Sequence, residues 1–260
     1  MSFRVFVTRL IPEKGINLLK KFCQTVEINP YDRSLTYDEL LHHVKDSDAI
    51  LTMLSDGIDA RLINETVKLK VIANYAVGYD NIDIKTATER GIFVTNTPGV
   101  LTDSTADMAW ALLFSITRRV VEGDKYTRAG KFVGWEPMLL LGGDLVGKTL
   151  GIVGAGRVGT AMAMRSMGWL MKVLYTSRSS RNTVLEESLC ARRVSLDTLL
   201  RESDFVSIHA PLTGETRHII GVEELSLMKK TAYLINTARG AVIDEEALVN
   251  ALKNKQIAGA

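Results

Sequence analysis

The segment Thr149-Leu-Gly-Ile-Val-Gly-Ala-Gly-Arg-Val-Gly159 constrains this chain more than any other. A short apolar, β-branched run leads into Gly154-x-Gly156-x-x-Gly159, and a helix-compatible stretch follows. Strand, glycine turn and helix start in that order form a dinucleotide-binding βαβ unit. Gly154 permits the tight turn, Gly156 lets the backbone approach a pyrophosphate, and Gly159 lets the helix pack closely on the strand. The amides of Gly156, Arg157, Val158 and Gly159 at the helix start are then the candidate phosphate donors. A glycine triplet alone is weak evidence. The flanking strand and helix give it weight.

The rest of the chain repeats the same alternation. Strands are expected at residues 4–8, 49–54, 70–73 and 92–95, with helices at 12–22, 36–44 (opened by the capping-box spacing Thr36-x-x-Glu39) and 83–90, and with Asp59 as an N-cap. Past the glycine turn, helices are expected at 157–169, 195–201, 222–228 and 244–253. Strands are expected at 172–175, 205–209, 232–236 and, just beginning, 256–260. This pattern predicts an α/β protein with parallel sheets covered by helices. Asn96-Thr-Pro-Gly99 breaks it and marks the boundary between domains at 1–99 and 100–260. A long helix is expected at 103–119, acidic at its start and closing on Arg118-Arg119 as the macrodipole prefers. Residues 120–148 read as irregular yet carry Trp135, Pro137, Met138 and Leu139 to Leu141. Burial against a second subunit and packing on the same domain both explain so many apolar side chains.

At 260 residues the length suits two domains. The 32 basic and 30 acidic side chains nearly balance, which argues against a nucleic-acid or anionic-membrane partner. No apolar run is long enough to span a bilayer. Cys23 and Cys190 fit no disulfide or metal pattern, so a reduced, cytoplasmic setting is expected.

Three places carry the chemistry. An acid usually ends the second strand of a dinucleotide fold, where it grips the ribose diol. Here the sequence is Tyr175-Thr-Ser-Arg-Ser-Ser-Arg181, with no Asp or Glu from Met171 through Leu185. Arg178 and Arg181 can pair with a 2′-phosphate, and Ser177 and Ser179 can hydrogen-bond it, so NADP(H) is expected over NAD(H). Arg239, in Asn236-Thr-Ala-Arg-Gly240, follows a strand and is placed to grip a carboxylate and polarise a neighbouring carbonyl. Val77 and Gly78 end another strand and can offer a small nest of amides to an anion, although taken alone they read better as an ordinary glycine turn. His42 and His43 read as solvated helix residues. His209 ends a strand on the side of the cofactor's adenosine, and His218 has no supporting pattern. No histidines or carboxylates show metal-ligand spacing.

These residues resemble the D-isomer-specific 2-hydroxyacid dehydrogenases, and within them the glyoxylate/hydroxypyruvate reductase branch. The shared stretches are residues 73–83, 97–107 (TPGVLTDSTAD), 154–159, the Ser177-Arg178 turn, His209-Ala-Pro-Leu212 and Asn236 to Gly240. The resemblance implies two Rossmann-like domains, a flavodoxin-like substrate domain and an NAD(P)-binding domain, and a homodimer built through residues 103–148. It implies hydride transfer to C2 of a small 2-oxoacid, with Arg239 orienting the substrate, Val77 and Gly78 holding its carboxylate, and Leu54 and Ser55 nearby. Thr105, Pro211, Thr237 and Ala238 would line the cofactor. The family's catalytic histidine and its partner glutamate follow the strand that starts at Ile257, so the last part of the fold and both groups are expected to be missing here. A placed acid supplies about 10²–10⁴-fold in rate, which predicts an impaired catalyst. A nucleotide-binding protein without turnover, corepressor-like or a decayed paralogue, is the competing reading; Arg239 counts against it.

Overall fold

The computed structural model describes residues 3–31, 33–178 and 181–260. It divides into two units, Met1–Val100 and Leu101–Ala260. In the first, β1 (Arg4–Val7), α1 (Glu13–Phe22), β2 (Thr25–Ile28), α2 (Tyr37–Val44), β3 (Ala49–Thr52), α3 (Ala60–Glu65), β4 (Val71–Asn74), α4 (Ile84–Glu89) and β5 (Phe93–Thr95) follow in turn. The strands pair in parallel in the order β2-β1-β3-β4-β5. Parallel pairing needs a crossover between strands, and the crossover helices bury both faces of the sheet. Alternation along β1 shows this directly. Phe6 packs with Ile50, Leu62 and Ile72 on one face, while Val5 and Val7 meet Ile11 and Ile16 on the other.

The helix starts are set by side chains. Thr36 and Glu39 form a reciprocal capping box at α2, and Asp59 and Asp83 accept from Leu62 and Thr86 amides, each at 2.8 Å. His43 departs from its expected solvated state. Its ring stacks on Phe6 with centroids 4.4 Å apart, and its Nδ1 lies 2.7 Å from Glu27 Oε1. Glu27 also takes Arg4 at 2.8 Å, and the Arg4 guanidinium foremost, then His43, holds its carboxyl below the usual range. β2, a strand the sequence pattern does not single out, supplies that glutamate.

The second unit contains α5 (Thr102–Thr117), α6 (Val120–Arg128), β6 (Thr149–Val153), α7 (Arg157–Arg165), a 3₁₀ turn at Ser166–Trp169, β7 (Lys172–Thr176), α8 (Thr183–Leu189), β8 (Arg192–Arg193), α9 (Leu196–Glu202), β9 (Phe205–Ile208), α10 (Val222–Leu227), β10 (Tyr233–Asn236) and α11 (Glu245–Lys253). Its parallel sheet runs β10-β9-β6-β7-β8. One face packs Leu150, Ile152, Met162 and Tyr175 under Trp110 and Leu113 of α5. The other packs Val206, Ile208 and Leu234 under Leu199, Leu225 and Ala247. Residues 256–260, expected as a strand, make one parallel bridge, Tyr233 to Gly259.

Residues 120–148 are not wholly irregular. Arg119 turns left-handed at φ 55° and ends α5, and α6 then forms with no buried residue. Its charges hold its surface, Arg119 to Glu122 at 2.6 Å and Arg128 to Asp124 at 2.8 Å. Beyond it the loop packs on its own unit only in its second half, where Leu145 is buried in the core; before that, Val133 is 92% exposed, Trp135 83% and Met138 77%. No helix among the described residues is long and apolar enough to cross a membrane.

Candidate functional site

In an all-parallel sheet every carboxyl end lies along one edge, and in the second unit that edge gathers most of the sequence-derived candidates. The glycine turn follows β6, Ser177 and Arg178 follow β7, His209 to Pro211 follow β9, and Thr237 to Arg239 follow β10. Strands β10, β9, β6 and β7 are successive neighbours. Ligands of such sheets collect at this edge, beside the point where strand order reverses.

The three glycines stand in three different surroundings. Gly154 adopts φ +95°, and a Cβ there would lie 2.7 Å from the Ala210 amide nitrogen. At Gly159 a Cβ would run into the carbonyl oxygen of Gly154 and lie 2.9 Å from Ile152 Cγ2. Gly156, the N-cap of α7 with φ −78°, has no heavy atom within 4 Å of its Cβ position. No described residue fills that volume, and a helix start of this kind is where anions meet free amides. Arg157 and Val158 are the first residues of that turn.

The basic loop after β7 is less simply cationic than its sequence. Arg178 Nη1 lies 3.2 Å from Glu215 Oε2 in an ion pair with both side chains well exposed. Arg181 pairs with Glu186, Nε to Oε2 at 2.9 Å. Glu186 also accepts from the Tyr175 hydroxyl at 2.6 Å, and the Arg181 guanidinium, then that hydroxyl, lowers its pKa. The sequence holds no acid from 171 to 185. The acid that reaches Arg181 is one residue further on, brought back by the first turn of α8. Arg193 donates to the Ser177 carbonyl at 2.8 Å. Ser179 lies outside the described residues.

Arg239 is half-buried, and its Nη1 donates to the Ala238 carbonyl at 3.0 Å. Asn236 shapes this turn by donating to the Arg239 carbonyl and accepting from the Ala238 amide, both at 2.9 Å. Thr237 Oγ1 lies 3.5 Å from His209 Nδ1. The other ring nitrogen of His209 is 2.9 Å from Ser207 Oγ, and burial pushes its pKa down to about 4. Thr105 sits in the first turn of α5, which Arg165 clips to α7 through Asp103 at 2.9 Å and Asp107 at 2.7 Å.

In the first unit, the turns after β3 and β4 are laced together. Asp56 accepts from Thr8 Oγ1 at 2.5 Å and from the Met53 amide at 2.8 Å, fixing the turn that exposes Leu54 and Ser55. Asn81 donates to the Met53 and Asp56 carbonyls at 3.1 and 3.0 Å. Two amide side chains, Asn96 and Asn74, donate to the carbonyls of Val77 and Gly78, each at 2.7 Å. A peptide plane is rigid and its N–H opposes its C=O, so these bonds also aim the N–H groups of Gly78 and Tyr79 away from the asparagines. Neither asparagine stands out in the sequence, because a bond to a backbone carbonyl leaves no motif. Among the described residues no cluster of three or more His, Cys, Asp or Glu could hold a metal ion.

The family profile described as "D-isomer specific 2-hydroxyacid dehydrogenase, NAD binding domain" matches residues 110–260. A glyoxylate reductase of Thermococcus litoralis is 53% identical over 264 residues, covering 100% of this chain and 79% of that protein. The chain belongs to the D-isomer-specific 2-hydroxyacid dehydrogenases. Solved structures agree: the TT0316 protein of Thermus thermophilus matches with TM-score 0.86 and 45% identity, over 96% of this chain and 78% of that one. A D-lactate dehydrogenase of Aquifex aeolicus, solved with NAD and lactic acid, matches with TM-score 0.85 and 31% identity, over 98% and 74%. This dehydrogenase is thus an oxidoreductase, its Rossmann domain is of the nicotinamide-dinucleotide type, and its relatives act on small 2-oxoacids by their names.

Proposed function

We propose that this dehydrogenase is an NADP(H)-dependent reductase of a short 2-oxoacid, glyoxylate or hydroxypyruvate, with NAD(H) the alternative cofactor. The observation that carries the reading is the shared edge: the open amides after β6 and Arg239 after β10 close the same end of one parallel sheet. When bound, the nicotinamide supplies the hydride delivered to C2. The amides from Gly156 to Gly159 hold its phosphates, and Thr105, Pro211, Thr237 and Ala238 line it. Ser177, Arg178, Ser179 and Arg181 receive the 2′-phosphate, whose dianion suits two guanidiniums better than a ribose diol does.

Arg239 grips and orients the 2-oxoacid and polarises its carbonyl, so that negative charge developing on the oxygen meets a fixed cation. In the first unit, the Val77–Gly78 turn holds the carboxylate, with Leu54 and Ser55 beside it. His209 is not the proton donor in this reading, because burial holds its pKa at about 4 and leaves the ring neutral, a very weak acid, at neutral pH. The same reading makes the protein a homodimer through residues 103–148, supported by the uncovered side chains of Val133, Trp135 and Met138. It also puts the protein in the cytoplasm, in keeping with two free cysteines.

The test is NADPH oxidation with glyoxylate and with hydroxypyruvate, by this chain and by a version extended to the length of its relatives. Turnover by the extended protein, abolished in Arg239→Ala with NADPH affinity kept, is the expected result. NADPH binding without turnover in either protein would sink the reductase reading.

A further inference from the structure

Asn182 has the most connected side chain near the glycine turn, and the cofactor reading gives it no role. Its Nδ2 donates to the Ala155 carbonyl at 3.0 Å and to Thr160 Oγ1 at 2.7 Å. Its Oδ1 accepts from the Leu185 amide at 3.1 Å, capping α8. Its backbone N–H donates to the Tyr175 hydroxyl at 2.8 Å. One residue therefore ties together the glycine turn, the second turn of α7, the end of β7 and the start of α8.

The bond to Ala155 bears on ligand binding. Ala155 C=O and Gly156 N–H belong to one rigid trans peptide plane and point in opposite directions. Holding that carbonyl from the α8 side therefore aims the Gly156 N–H away from Asn182. A turn built of Gly154, Ala155 and Gly156 has little side chain of its own to fix this plane. Thr160 Oγ1 reaches the same oxygen only at 3.5 Å, so Asn182 makes the shorter of the two contacts.

We infer that Asn182 is a positioning residue for the dinucleotide: its amide sets the Ala155–Gly156 peptide plane so that the Gly156 N–H meets the pyrophosphate. The inference rests on the dinucleotide reading of the turn and goes beyond it. Because the plane faces the pyrophosphate, which NADH and NADPH share, the effect is blind to the 2′-phosphate even though Asn182 immediately follows the basic loop.

Asn182→Ser tests it. Serine caps a helix about as well as asparagine, so α8 keeps its cap, while the shorter side chain cannot reach Ala155 and Thr160. Dissociation constants for NADH, NADPH and adenosine 2′-monophosphate, which lacks the pyrophosphate, are measured on the full chain alongside thermal melts. The expected result is a weakening of both dinucleotides by about ten- to 150-fold, the loss of one hydrogen bond to a charged group. Their affinity ratio and the binding of adenosine 2′-monophosphate stay as in the wild type, and the two lost side-chain hydrogen bonds lower the melting temperature by a few degrees. Unchanged dinucleotide affinity overturns the inference, and so does weakening confined to NADPH, or a parallel loss for all three ligands. A wild-type chain that binds neither dinucleotide overturns the cofactor reading, and this inference with it.

Discussion

Gly156 and Gly159 are three residues apart in one motif, yet the structure predicts that alanine at each fails in a different way. At 159 the new methyl meets the Gly154 carbonyl and Ile152 Cγ2. Backbone cannot swing aside as a side chain can, so α7 must move off β6, an overpacking cost of about 1–3 kcal/mol. A unit of this size shifts by about 2–4 °C per kcal/mol, giving a fall of about 2–12 °C in Tm. At 156 no heavy atom lies within 4 Å of the methyl and φ is −78°, ordinary for any residue. Alanine is the poorer N-cap, but it loses less chain entropy on folding, worth about 0.4–1 kcal/mol. The two nearly cancel, and Tm should move by less than about 2 °C. The methyl instead occupies the volume a phosphate needs to reach the amides. Losing one or two hydrogen bonds to a charged group at about 1.5–3 kcal/mol each weakens binding at least tenfold and up to about twenty-thousandfold. Titration of NADPH against both variants, with melts on the same samples, separates the cases. A Gly156→Ala protein that binds within threefold of wild type, or that melts as early as Gly159→Ala, would refute the assignment of roles within the turn.

Arg178→Ala should weaken NADPH much more than NADH, and Glu215→Gln, which releases Arg178 from its exposed pair, should modestly tighten NADPH alone; equal effects on both cofactors remove the 2′-phosphate assignment. His209 gives a pH signature. Its pKa of about 4 in the fold lies below the usual 6.5 of the unfolded chain, so the unfolded state takes the proton first as pH falls. The stabilisation is fully present above pH 6.5 and is lost progressively towards pH 4, up to about 3 kcal/mol. Urea melts of His209→Gln should lose that slope between pH 6.5 and 4, and an unchanged slope counts against burial as its cause. Trp135→Asp combined with Met138→Asp should convert a dimer into a monomer in sedimentation velocity, and an unaltered sedimentation coefficient would place the interface elsewhere.

The βαβ order, the close packing at Gly154 and Gly159 and the caps at Thr36 and Asp59 are legible in the sequence because each is a local rule: a period, a spacing, or a polar side chain before an apolar run. What escapes is local structure without an apolar signature. α6 has no buried face and contains Gly123, and β8 is two arginines, so neither presents a hydrophobic period. Glu186 escapes because a helix start folds it back to Arg181. Asn74, Asn96 and Asn182 escape because each acts on a backbone carbonyl, which every sequence supplies and none advertises.

The three tryptophans divide into one buried, one half-buried and one exposed indole. Trp110 is buried with its Nε1 donating to the Met162 carbonyl at 3.0 Å, and it stacks on Trp169 with centroids 4.8 Å apart. Both flank α7, the helix that begins at the glycine turn, whereas Trp135 stands in solvent. Native emission therefore contains two separable colours. The blue component reports on the helix beneath any docked nucleotide, and the red one, open to iodide quenching, reports on whatever covers the loop, so a single cuvette can follow nucleotide capture and subunit association independently.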